Sequence, residues 1–585
     1  MAIQSYGRLL ATYLRPHRPK VALLAVCLLG SIGMQLLTPQ IVRQFIDAAG
    51  AGTPLETLTR LALLFLGAAL LNQLLSAAST YLSADVGWSS TNALRVDLFR
   101  HALRLDMAYH KARTPGEMIE RIDGDVTHIA NFFAQFLVRV GGALLLVLGI
   151  LVLLWLESPA VGATLTAYVA VVIWVLNNRR EVAVPATKLE RQANAEAFGF
   201  IEERLSGLDD IRANGAGRYV MHRFREVQRS WYFTALKAWL LRSSIWVYTL
   251  SLFAVGYVLM FAFGINLFAA GGITLGTAYL FFNYMSMLEG PLEQITQQLQ
   301  EFQQAGAGMQ RVTELQNERR EVPDGSRSLG GGAHAVELRK VRFAYEDQDV
   351  LKGLSFRLEP GQSMGLLGRT GSGKTTLIRL LFRLYDATEG AVLLDGVDLR
   401  ELRLEDLRRR VGLVTQDVQL FHGTLRENLT FFDPGVAEER LWAVLDELGL
   451  RGWVEGLPQG LDTPLQAGGG GLSAGEAQLL AFARVFLQEP GLVILDEPSS
   501  RLDPATERLL NDAIARLLEG RTAILIAHRL ETVERVDKIM VLKDGETLEW
   551  GDRAALAANP DSRYAQLRAL STDAGLDEGM ERAGL

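Results

Sequence analysis

The sequence predicts a chain of two parts, an α-helical transmembrane domain with six spans followed by an α/β domain built around a phosphate-binding loop. Two observations predict the first part. Apolar runs of membrane-spanning length recur through the N-terminal half, and basic residues gather in alternate loops between them. The second part is predicted by a glycine-rich loop, residues 368–375, that stands between an apolar strand and a helix-like run.

Composition narrows the class of protein. A chain of 585 residues is too long for one hydrophobic core, so two or more domains are expected. Hydrophobic residues make up 49% of it and the mean hydropathy is +0.14, which is high for a wholly soluble protein. The net charge of −7 argues against a nucleic-acid partner. The single cysteine, Cys27, excludes an internal disulfide or a cluster of thiolate metal ligands.

The apolar runs are long enough to cross a bilayer, which takes about 20 residues. Their interiors are nearly free of Lys and Arg, and buried helices of a globular protein do not account for six of them. The last run is the least regular, because Asn283, Glu289 and Pro291 interrupt it. We place the spans at residues 21–45, 58–82, 134–156, 159–178, 245–267 and 276–298.

The basic residues predict the orientation of these spans. They lie before span 1, between spans 2 and 3, and between spans 4 and 5, as at Arg15, Arg95 and Arg191. The alternate loops are short and lack Lys and Arg: Asp47–Pro54, Glu157–Ser158 and Ile265–Thr274. Because basic loops remain in the cytoplasm, both termini and the second domain are expected there, in a multi-pass protein of the cell membrane.

The two long basic segments are predicted to be helical. Residues 90–105 and 189–208 carry spaced apolar residues among charges, which is typical of helices that continue out of the membrane. Short breaks near 109–117 and 206–215 contain glycine, as short connecting helices would. These tips are expected to contact something in the cytoplasm.

Polar residues inside the spans have two interpretations. They either line a pathway for a transported compound or hold neighbouring helices together by hydrogen bonds. The sequence favours neither. The residues concerned are Gln35, Gln40, Asn72, Gln73, Asn283 and Glu289.

A cluster of Pro, Gly and Ser at 321–332 marks the boundary between the two parts. After it the composition becomes that of a soluble α/β domain, beginning with an alternating run at 336–343 that resembles an edge strand. The expected organisation is a transmembrane domain at 1–316, a linker at 317–335, a nucleotide-binding domain at 336–572 and a C-terminal tail at 573–585.

The phosphate-binding loop is the strongest motif of the chain. Glycines let its backbone curl around an anion, and the helix that follows adds partial positive charge. Lys374 is placed to reach the β- and γ-phosphates, and the Thr375 hydroxyl to hold Mg²⁺. The alternative is an ordinary glycine-rich turn. The full set of expected nucleotide contacts is Gly368, Arg369, Thr370, Gly371, Ser372, Gly373, Lys374, Thr375 and Thr376.

A second motif supplies carboxylates. The apolar run 492–495 is typical of a buried parallel strand, and it ends in Asp496 and Glu497. Asp496 is placed to hold Mg²⁺, and Glu497 to accept a proton from the attacking water. The alternative is a strand that ends in an acidic turn.

Three further residues fit this site, although each alone has a structural explanation. Tyr345 follows the first strand, where an exposed aromatic ring could stack on a purine. His528 and Gln416 each follow an apolar strand. The histidine is placed to sense the γ-phosphate, and Gln416 to bridge water, Mg²⁺ and a neighbouring domain.

A second anion-ready helix start occurs at Leu472-Ser-Ala-Gly-Glu476, after a run of glycines. One nucleotide bound to one domain does not need two phosphate-binding sites. A second site, formed by Ser473 and Gly475, makes sense if it binds a nucleotide held by another copy.

Together these motifs resemble the ATP-binding cassette (ABC) exporters of the half-transporter type, over essentially the whole chain. The resemblance rests on motifs in the family's order: Tyr345, the Walker A loop 368–375, Gln416, the signature 472–476, Asp496 and Glu497 of Walker B, Asp503 of the D-loop, and His528. It implies an α/β P-loop ATPase domain with a helical subdomain, ATP and Mg²⁺ as cofactors, and a dimer that sandwiches two ATP molecules. Residues 109–115 and 206–214 match the family's coupling helices.

The chain departs from the family's signature, which reads Leu-Ser-Gly-Gly-Gln. Ala474 adds a methyl group, and Glu476 brings a negative charge near a triphosphate, which is unfavourable unless it is neutralised. Arg501 stands where a small residue is usual. In paired exporters of this family the chain with the intact glutamate often carries the altered signature. We therefore expect a heterodimer with a second half-transporter, while a homodimer stays open.

The expected function is ATP-driven export of an amphipathic compound, drug-like or lipid, by alternating access. A lipid or peptide translocase of the same fold is an alternative. A membrane-anchored ATPase that regulates without moving cargo is another, although the intact catalytic residues argue against it. The sequence does not identify the cargo.

Overall fold

A computed structural model describes residues 11–131, 139–346, 348–415, 418–466, 472–496, 504–526 and 533–570. Its contacts divide the chain into two compact units. The first consists of Met1–Arg104 and Arg113–Glu318, and the second of Leu105–Ala112 and Arg319–Leu585. The short segment 105–112 therefore packs as part of the second unit, whereas the sequence-based boundary grouped it with the first.

The N-terminal part of the chain is helical, because long apolar runs without glycine clusters or turn signals satisfy their backbone polar groups most simply as helices. The long helices continue beyond the predicted spans, as expected, and two short helices stand at the predicted tips. The helices are α1 (Arg18–Gly50), α2 (Leu55–Ala102), α3 (Met107–Lys111), α4 (Pro115–Ile119), α5 (Asp125–Asn131), α6 (Gly142–Glu157), α7 (Pro159–Arg179), α8 (Val184–Ser206), α9 (Leu208–Ala213), α10 (Gly217–Ala269) and α11 (Leu275–Asn317).

Four described helices are long and apolar enough to cross a membrane: Ala11–Gly50, Leu55–Ala102, Arg139–Glu157 and Gly217–Ala269. They contain the predicted spans 1, 2, 3 and 5, except that residues 134–138 lie outside the described part of the chain. Span 4 falls on a shorter apolar helix, Pro159–Val175. Span 6 lies within α11, whose polar residues lower its hydropathy. A helical transmembrane domain is thus confirmed, while the count of six remains a prediction.

Hydrogen bonds between side chains explain several of the polar residues in these helices. Ser31 donates to Asn72 Oδ1 at 2.9 Å, which joins α1 to α2. Gln40 donates to the Tyr284 hydroxyl at 3.1 Å, which joins α1 to α11. These contacts favour the helix-packing interpretation for Asn72 and Gln40.

One end of the first unit carries a polar network that links three loops. Arg43 pairs with Glu157. Asp47 accepts hydrogen bonds from the Thr274 hydroxyl and the Gly276 N–H, both at 2.8 Å. The short loops that lack basic residues therefore gather at the same end of the helices, as alternating spans require.

A buried ion pair joins two helices of the first unit outside the predicted spans. Asp125 on α5 is fully buried, and the Arg311 guanidinium on α11 donates to both of its oxygens. Gly308 lies one turn before Arg311, and a Cβ there would stand 3.2 Å from Asp125 Oδ1, so the glycine lets the two helices approach. The carboxylate beside it raises the pKa of Arg311 further above its ordinary value.

Replacing the arginine of this pair is expected to destabilise the membrane unit. Arg311→Met leaves the buried Asp125 carboxylate without its partner, which costs about 3 kcal/mol, the lower end of the range because Arg311 is 44% exposed. The thermal unfolding temperature in detergent should fall. Gln310→Met, one exposed position earlier, is the matched control. The double variant with Asp125→Asn should recover most of the loss, and an unchanged unfolding temperature for Arg311→Met would contradict this assignment.

The second unit contains two main sheets. A four-stranded sheet has the order β2-β1-β4-β5, and a six-stranded sheet has the order β12-β11-β3-β10-β9-β6, parallel except for β12. The strands are β1 (Val336–Tyr345), β2 (Gln348–Leu358), β3 (Ser363–Leu367), β4 (Glu389–Leu394), β5 (Val397–Asp398), β6 (Val411–Val414), β7 (Gly423–Thr424), β8 (Pro464–Leu465), β9 (Leu492–Asp496), β10 (Thr522–Ile526), β11 (Lys538–Lys543) and β12 (Glu546–Asp552).

The parallel strands are apolar throughout because they are buried on both faces. In β9, Leu492 and Ile494 enter the core between the two sheets, while Val493 and Leu495 enter the core beneath the helices. The prediction that 336–343 forms an edge strand was wrong. β1 pairs with β2 on one side and with β4 on the other, so it has no open edge. Its alternating polar residues instead lie on one face of the sheet.

Helices cover the six-stranded sheet and build a helical subdomain between β6 and β9. That subdomain holds α14 to α17 and packs its leucines against the sheet. The helices of the second unit, after α3, are α12 (Lys374–Leu381), α13 (Leu404–Arg410), α14 (Leu425–Thr430), α15 (Glu438–Glu447), α16 (Arg451–Glu455), α17 (Ala474–Gln488), α18 (Pro504–Leu518), α19 (Arg553–Ala558) and α20 (Arg563–Leu570).

Candidate functional site

The glycine-rich loop joins β3, in the middle of the six-stranded sheet, to the first residue of α12, Lys374. The strand is fully buried, so the loop emerges at the carboxyl edge of a rigid parallel sheet. Ligands of open α/β sheets bind at this edge. The loop is fixed at its base, because Gly545 on the β11–β12 turn donates to the Ser372 carbonyl at 3.2 Å.

The loop has the shape of an anion cradle. Gly371 and Gly373 have φ values of 87° and 107°, which residues with a side chain rarely adopt. A Cβ on Gly373 would also stand 2.7 Å from Leu351 Cδ2. Among the described residues the buried Ser372 hydroxyl has no hydrogen-bond partner. An orphaned hydroxyl inside a loop that only glycine can form fits a bound phosphate.

Lys374 and Thr375 sit at the start of α12 with different exposure. Lys374 is 7% exposed, and its Nζ donates to the carbonyls of Gly368 and, at 3.1 Å, of Arg369. The ammonium therefore lies inside the loop, where a phosphate would meet it. Thr375 is exposed, and Arg369, Thr370 and Gly371 form the exposed tip of the loop.

Strand register brings the other predicted positions toward the same edge. Leu366 of β3 pairs with Ile526 of β10, which in turn pairs with Asp496 at the end of β9. Asp496 therefore lies two strands away from β3, with β10 between them, at the carboxyl end of β9. Gln416, Glu497, Asp503 and His528 lie outside the described residues, each shortly after a described strand end.

Tyr345, at the end of β1, is half-buried rather than exposed as predicted. Its hydroxyl accepts a hydrogen bond from Arg379 Nη1 at 2.9 Å and lies 3.4 Å from the Thr376 hydroxyl, both on α12. Its ring packs edge-on with Phe343 and Tyr385, at centroid distances of 4.8 and 5.3 Å. Burial raises the pKa of Tyr385 above its ordinary value. The ring is thereby fixed beside the helix that follows the phosphate-binding loop.

The second anion-ready helix start is built as a capping box. Ser473 is the N-cap of α17, and its hydroxyl accepts from the Glu476 N–H at 3.2 Å. The Glu476 carboxylate reaches back to accept from the Ser473 N–H at 2.7 Å. Ser473 is exposed and Gly475 is buried. The charge of Glu476 is therefore partly offset by the Ser473 N–H and by the positive end of the helix.

Arg484 ties the same helix to the segment that follows β6. It donates to the carbonyls of Asn428 at 2.8 Å and of Gln419 at 2.9 Å. Burial lowers the pKa of Arg484 to about 10, so the side chain stays cationic at neutral pH. The helix start at Ser473 and the chain just beyond Gln416 are thus held in one subdomain.

Two features escaped the sequence-based analysis. The pattern Ser-x-x-Glu at 473–476 is the signature of a capping box and would have explained Glu476 without reference to a nucleotide. The partners of Tyr345 gave no local signal, since Arg379 and Tyr385 are more than thirty residues away in sequence.

Comparisons with known proteins agree with this arrangement. A family model described as the ABC transporter transmembrane region matches residues 21–292, and one described as ABC transporter matches residues 351–500. A "Probable multidrug resistance ABC transporter ATP-binding/permease protein" of Bacillus subtilis is 31% identical over 482 residues, 82% of this chain and 71% of that protein.

Two further matches cover most of the chain. A "Fatty acid ABC transporter ATP-binding/permease protein" of Mycobacterium tuberculosis is 30% identical over 477 residues, 81% of this chain and 76% of that protein. The solved structure of a bacterial Atm1-family ABC exporter with ATP bound matches this chain with a TM-score of 0.79 at 26% identity. The match covers 94% of this chain and 98% of the exporter's chain.

Proposed function

Because this chain belongs to the ABC transporter family, with a transmembrane region and an ATP-binding domain fused in one polypeptide, we propose that it is one half of an ATP-driven exporter. It is an integral membrane protein of the Atm1-type exporter fold, an ATPase coupled to transport, and its fold dimerises. The proposed cargo is an amphipathic compound, drug-like or lipid, moved out of the cytoplasm or the inner leaflet by alternating access.

The observation that carries the proposal is the phosphate cradle at the carboxyl edge of the parallel sheet, on the same polypeptide as membrane-spanning helices. The nature of the cargo is supported by relatives named for multidrug resistance and for fatty acids. We assign residues 1–316 to the transmembrane domain, 317–335 to a linker, 336–572 to the ATP-binding domain and 573–585 to a tail.

The site residues divide the chemistry of ATP hydrolysis among them. Lys374 and the loop N–H groups bind the β- and γ-phosphates, and Tyr345 stacks on the adenine. Thr375, Asp496 and Gln416 would hold Mg²⁺, which neutralises charge on the phosphates. Glu497 accepts the proton of the attacking water and His528 contacts the γ-phosphate, while Ser473, Gly475 and Asp503 close on the nucleotide of the other subunit.

Stimulation of ATPase activity by the cargo tests the proposal. The complex purified with its partner subunit should hydrolyse ATP faster in the presence of one class among lipids, amphipathic drugs and peptides, and should concentrate that class inside inverted vesicles. Stimulation by peptides alone would select the peptide form of the translocase alternative. ATP hydrolysis without transport of any class would favour a non-transporting regulator.

The proposed topology has both termini and the ATP-binding domain in the cytoplasm. In a Cys27→Ser background, cysteines replacing Ala51 and Ala270 should react with an impermeant thiol reagent added to intact cells, and one replacing Ser326 should not. All three residues are exposed, whereas Gly52 and Gly271 have positive φ and a Cβ on Gly325 would meet the Glu401 backbone at 2.3 Å. The opposite labelling would invert the topology.

A further inference from the structure

A side chain from the loop between the first unit's helices lies on the ring of Tyr345. Lys111, the last residue of α3, places its Nζ 4.3 Å from the centroid of that ring. This distance is within the range of a cation–π interaction. The segment that contains it, Leu105–Ala112, belongs to the second unit by its contacts.

The segment is anchored rather than loosely apposed. Asp106, the residue before α3, accepts hydrogen bonds from the backbone N–H groups of Glu321 and, at 3.3 Å, Val322. Leu105 and Tyr109 are buried. These contacts hold the start and the middle of α3, so its last residue, Lys111, is presented to the Tyr345 ring.

The ring and the lysine face a cleft that is large enough for a base and a sugar. The cleft encloses about 980 Å³ and is lined by residues of β1, of α3 and of the chain around Tyr385. Its charged lining is mostly acidic: Asp106, Glu321, Glu346 and Asp386. Among the described side chains that line it, Lys111 is the basic one.

The remaining contacts of Tyr345 come from within the ATP-binding domain. Phe343 and Tyr385 pack at right angles to its ring, and the Arg379 and Thr376 side chains bind its hydroxyl. Arg379 Cζ also lies 5.9 Å from the ring centroid, farther than Lys111 Nζ. The edge-on aromatic neighbours and the hydroxyl contacts are part of the folded core. Lys111 differs from them because it comes from α3, more than two hundred residues earlier in the chain.

We propose that Lys111 and the adenine base compete for the ring of Tyr345, so that binding of the base releases α3 from it. The inference rests on the proposed function, in which Tyr345 stacks on adenine. Stacking of a base on an aromatic ring is stronger than an exposed cation–π contact, so the base displaces the lysine at a modest cost in affinity. Nucleotide occupancy is thereby communicated to the segment between spans 2 and 3.

The test compares a ligand that has a base with one that lacks it. ATP and inorganic tripolyphosphate are bound to the purified transporter in lipid nanodiscs, in EDTA so that nothing is hydrolysed. Removing the Lys111 charge affects both ligands through the triphosphate, whereas competition for the ring affects ATP alone. The ratio of the two affinities therefore isolates the contact with Tyr345.

Lys111→Ala is expected to raise the preference for ATP over tripolyphosphate by about two- to fivefold. This is the change in affinity that the loss of a weak competing cation–π contact would produce. Lys352→Ala, which removes an exposed lysine from β2 of the same domain, is the charge-matched control and should leave the preference unchanged. In a Tyr345→Leu background, Lys111→Ala should have no effect on the preference. An unchanged or lower preference in Lys111→Ala would overturn the proposal.

The same samples separate this inference from the proposed function. If Tyr345→Leu weakens ATP but not tripolyphosphate while Lys111→Ala changes nothing, the base stacks on Tyr345 and only the competition is wrong. If Tyr345→Leu affects both ligands equally, the adenine site itself is misplaced and the competition falls with it. Amide exchange at residues 107–111 should become faster with ATP and not with tripolyphosphate, and equal exchange with both would also overturn the competition.

Discussion

Glu497→Gln is expected to leave ATP binding intact while steady-state hydrolysis falls by about 10²- to 10⁴-fold, the usual consequence of losing a general base. The substitution keeps the shape of the side chain and removes its proton acceptor. β9 ends at Asp496 on the sheet edge, two strands from the strand that precedes the phosphate-binding loop, and Glu497 is the next residue. We propose that this carboxylate activates the water that attacks the γ-phosphate.

Two measurements are needed to separate binding from chemistry. Equilibrium binding of ATP should match the wild type, and release of phosphate by the purified complex should collapse. Glu546→Gln removes an exposed carboxylate from the β11–β12 hairpin of the same domain and should hydrolyse ATP normally. Unchanged hydrolysis by the Glu497→Gln complex would show that another residue is the base.

Some of this site could be predicted because its signals are local. Strand, glycine loop and helix are consecutive in sequence, and the positive φ values of Gly371 and Gly373 require the residue type that the motif supplies. Parallel strands such as β9 can also be recognised from the sequence, because a strand that is buried on both faces must be apolar along its whole length.

Other features depend on partners that are distant in sequence. β1 has the alternation of an edge strand, but β4 pairs with its second side about fifty residues later. The Tyr345 ring contacts Lys111, which lies more than two hundred residues earlier in the sequence. Span 6 is ambiguous for a different reason, since Glu289 and Pro291 lower the hydropathy of a helix that tertiary contacts hold through Tyr284.

The altered signature predicts a division of labour between two different subunits. In the proposed head-to-tail sandwich, Ser473 and Gly475 would face the nucleotide that the other subunit holds. Glu476 would then place a negative charge near that nucleotide, although the capping box offsets part of it. One slow site beside one active site is a workable asymmetry, whereas weakening both sites would reduce transport. The partner is therefore expected to lack a carboxylate equivalent to Glu497 and to carry an intact signature.

Restoring the family's signature in this chain, by Ala474→Gly with Glu476→Gln, should change total ATPase activity little, because the partner's site would still lack its base. Glutamine retains an oxygen that can accept from the Ser473 N–H, so the start of α17 is preserved. Glu476→Ala is the structural control. It removes half of the capping box and should destabilise the helix start by about 1 kcal/mol.

Replacing the signature serine of the partner subunit should have the opposite outcome and abolish most of the activity. That serine completes the site that contains Lys374 and Glu497, where hydrolysis is expected to occur. The two signatures of the complex are thus predicted to contribute unequally to ATPase activity, and most of the activity should not depend on the signature in this chain. If this chain alone forms a dimer with full cargo-stimulated ATPase activity, the heterodimer is excluded. The capping role of Glu476 then explains why its charge is tolerated, since its carboxylate is committed to the Ser473 N–H at 2.7 Å rather than directed at a phosphate.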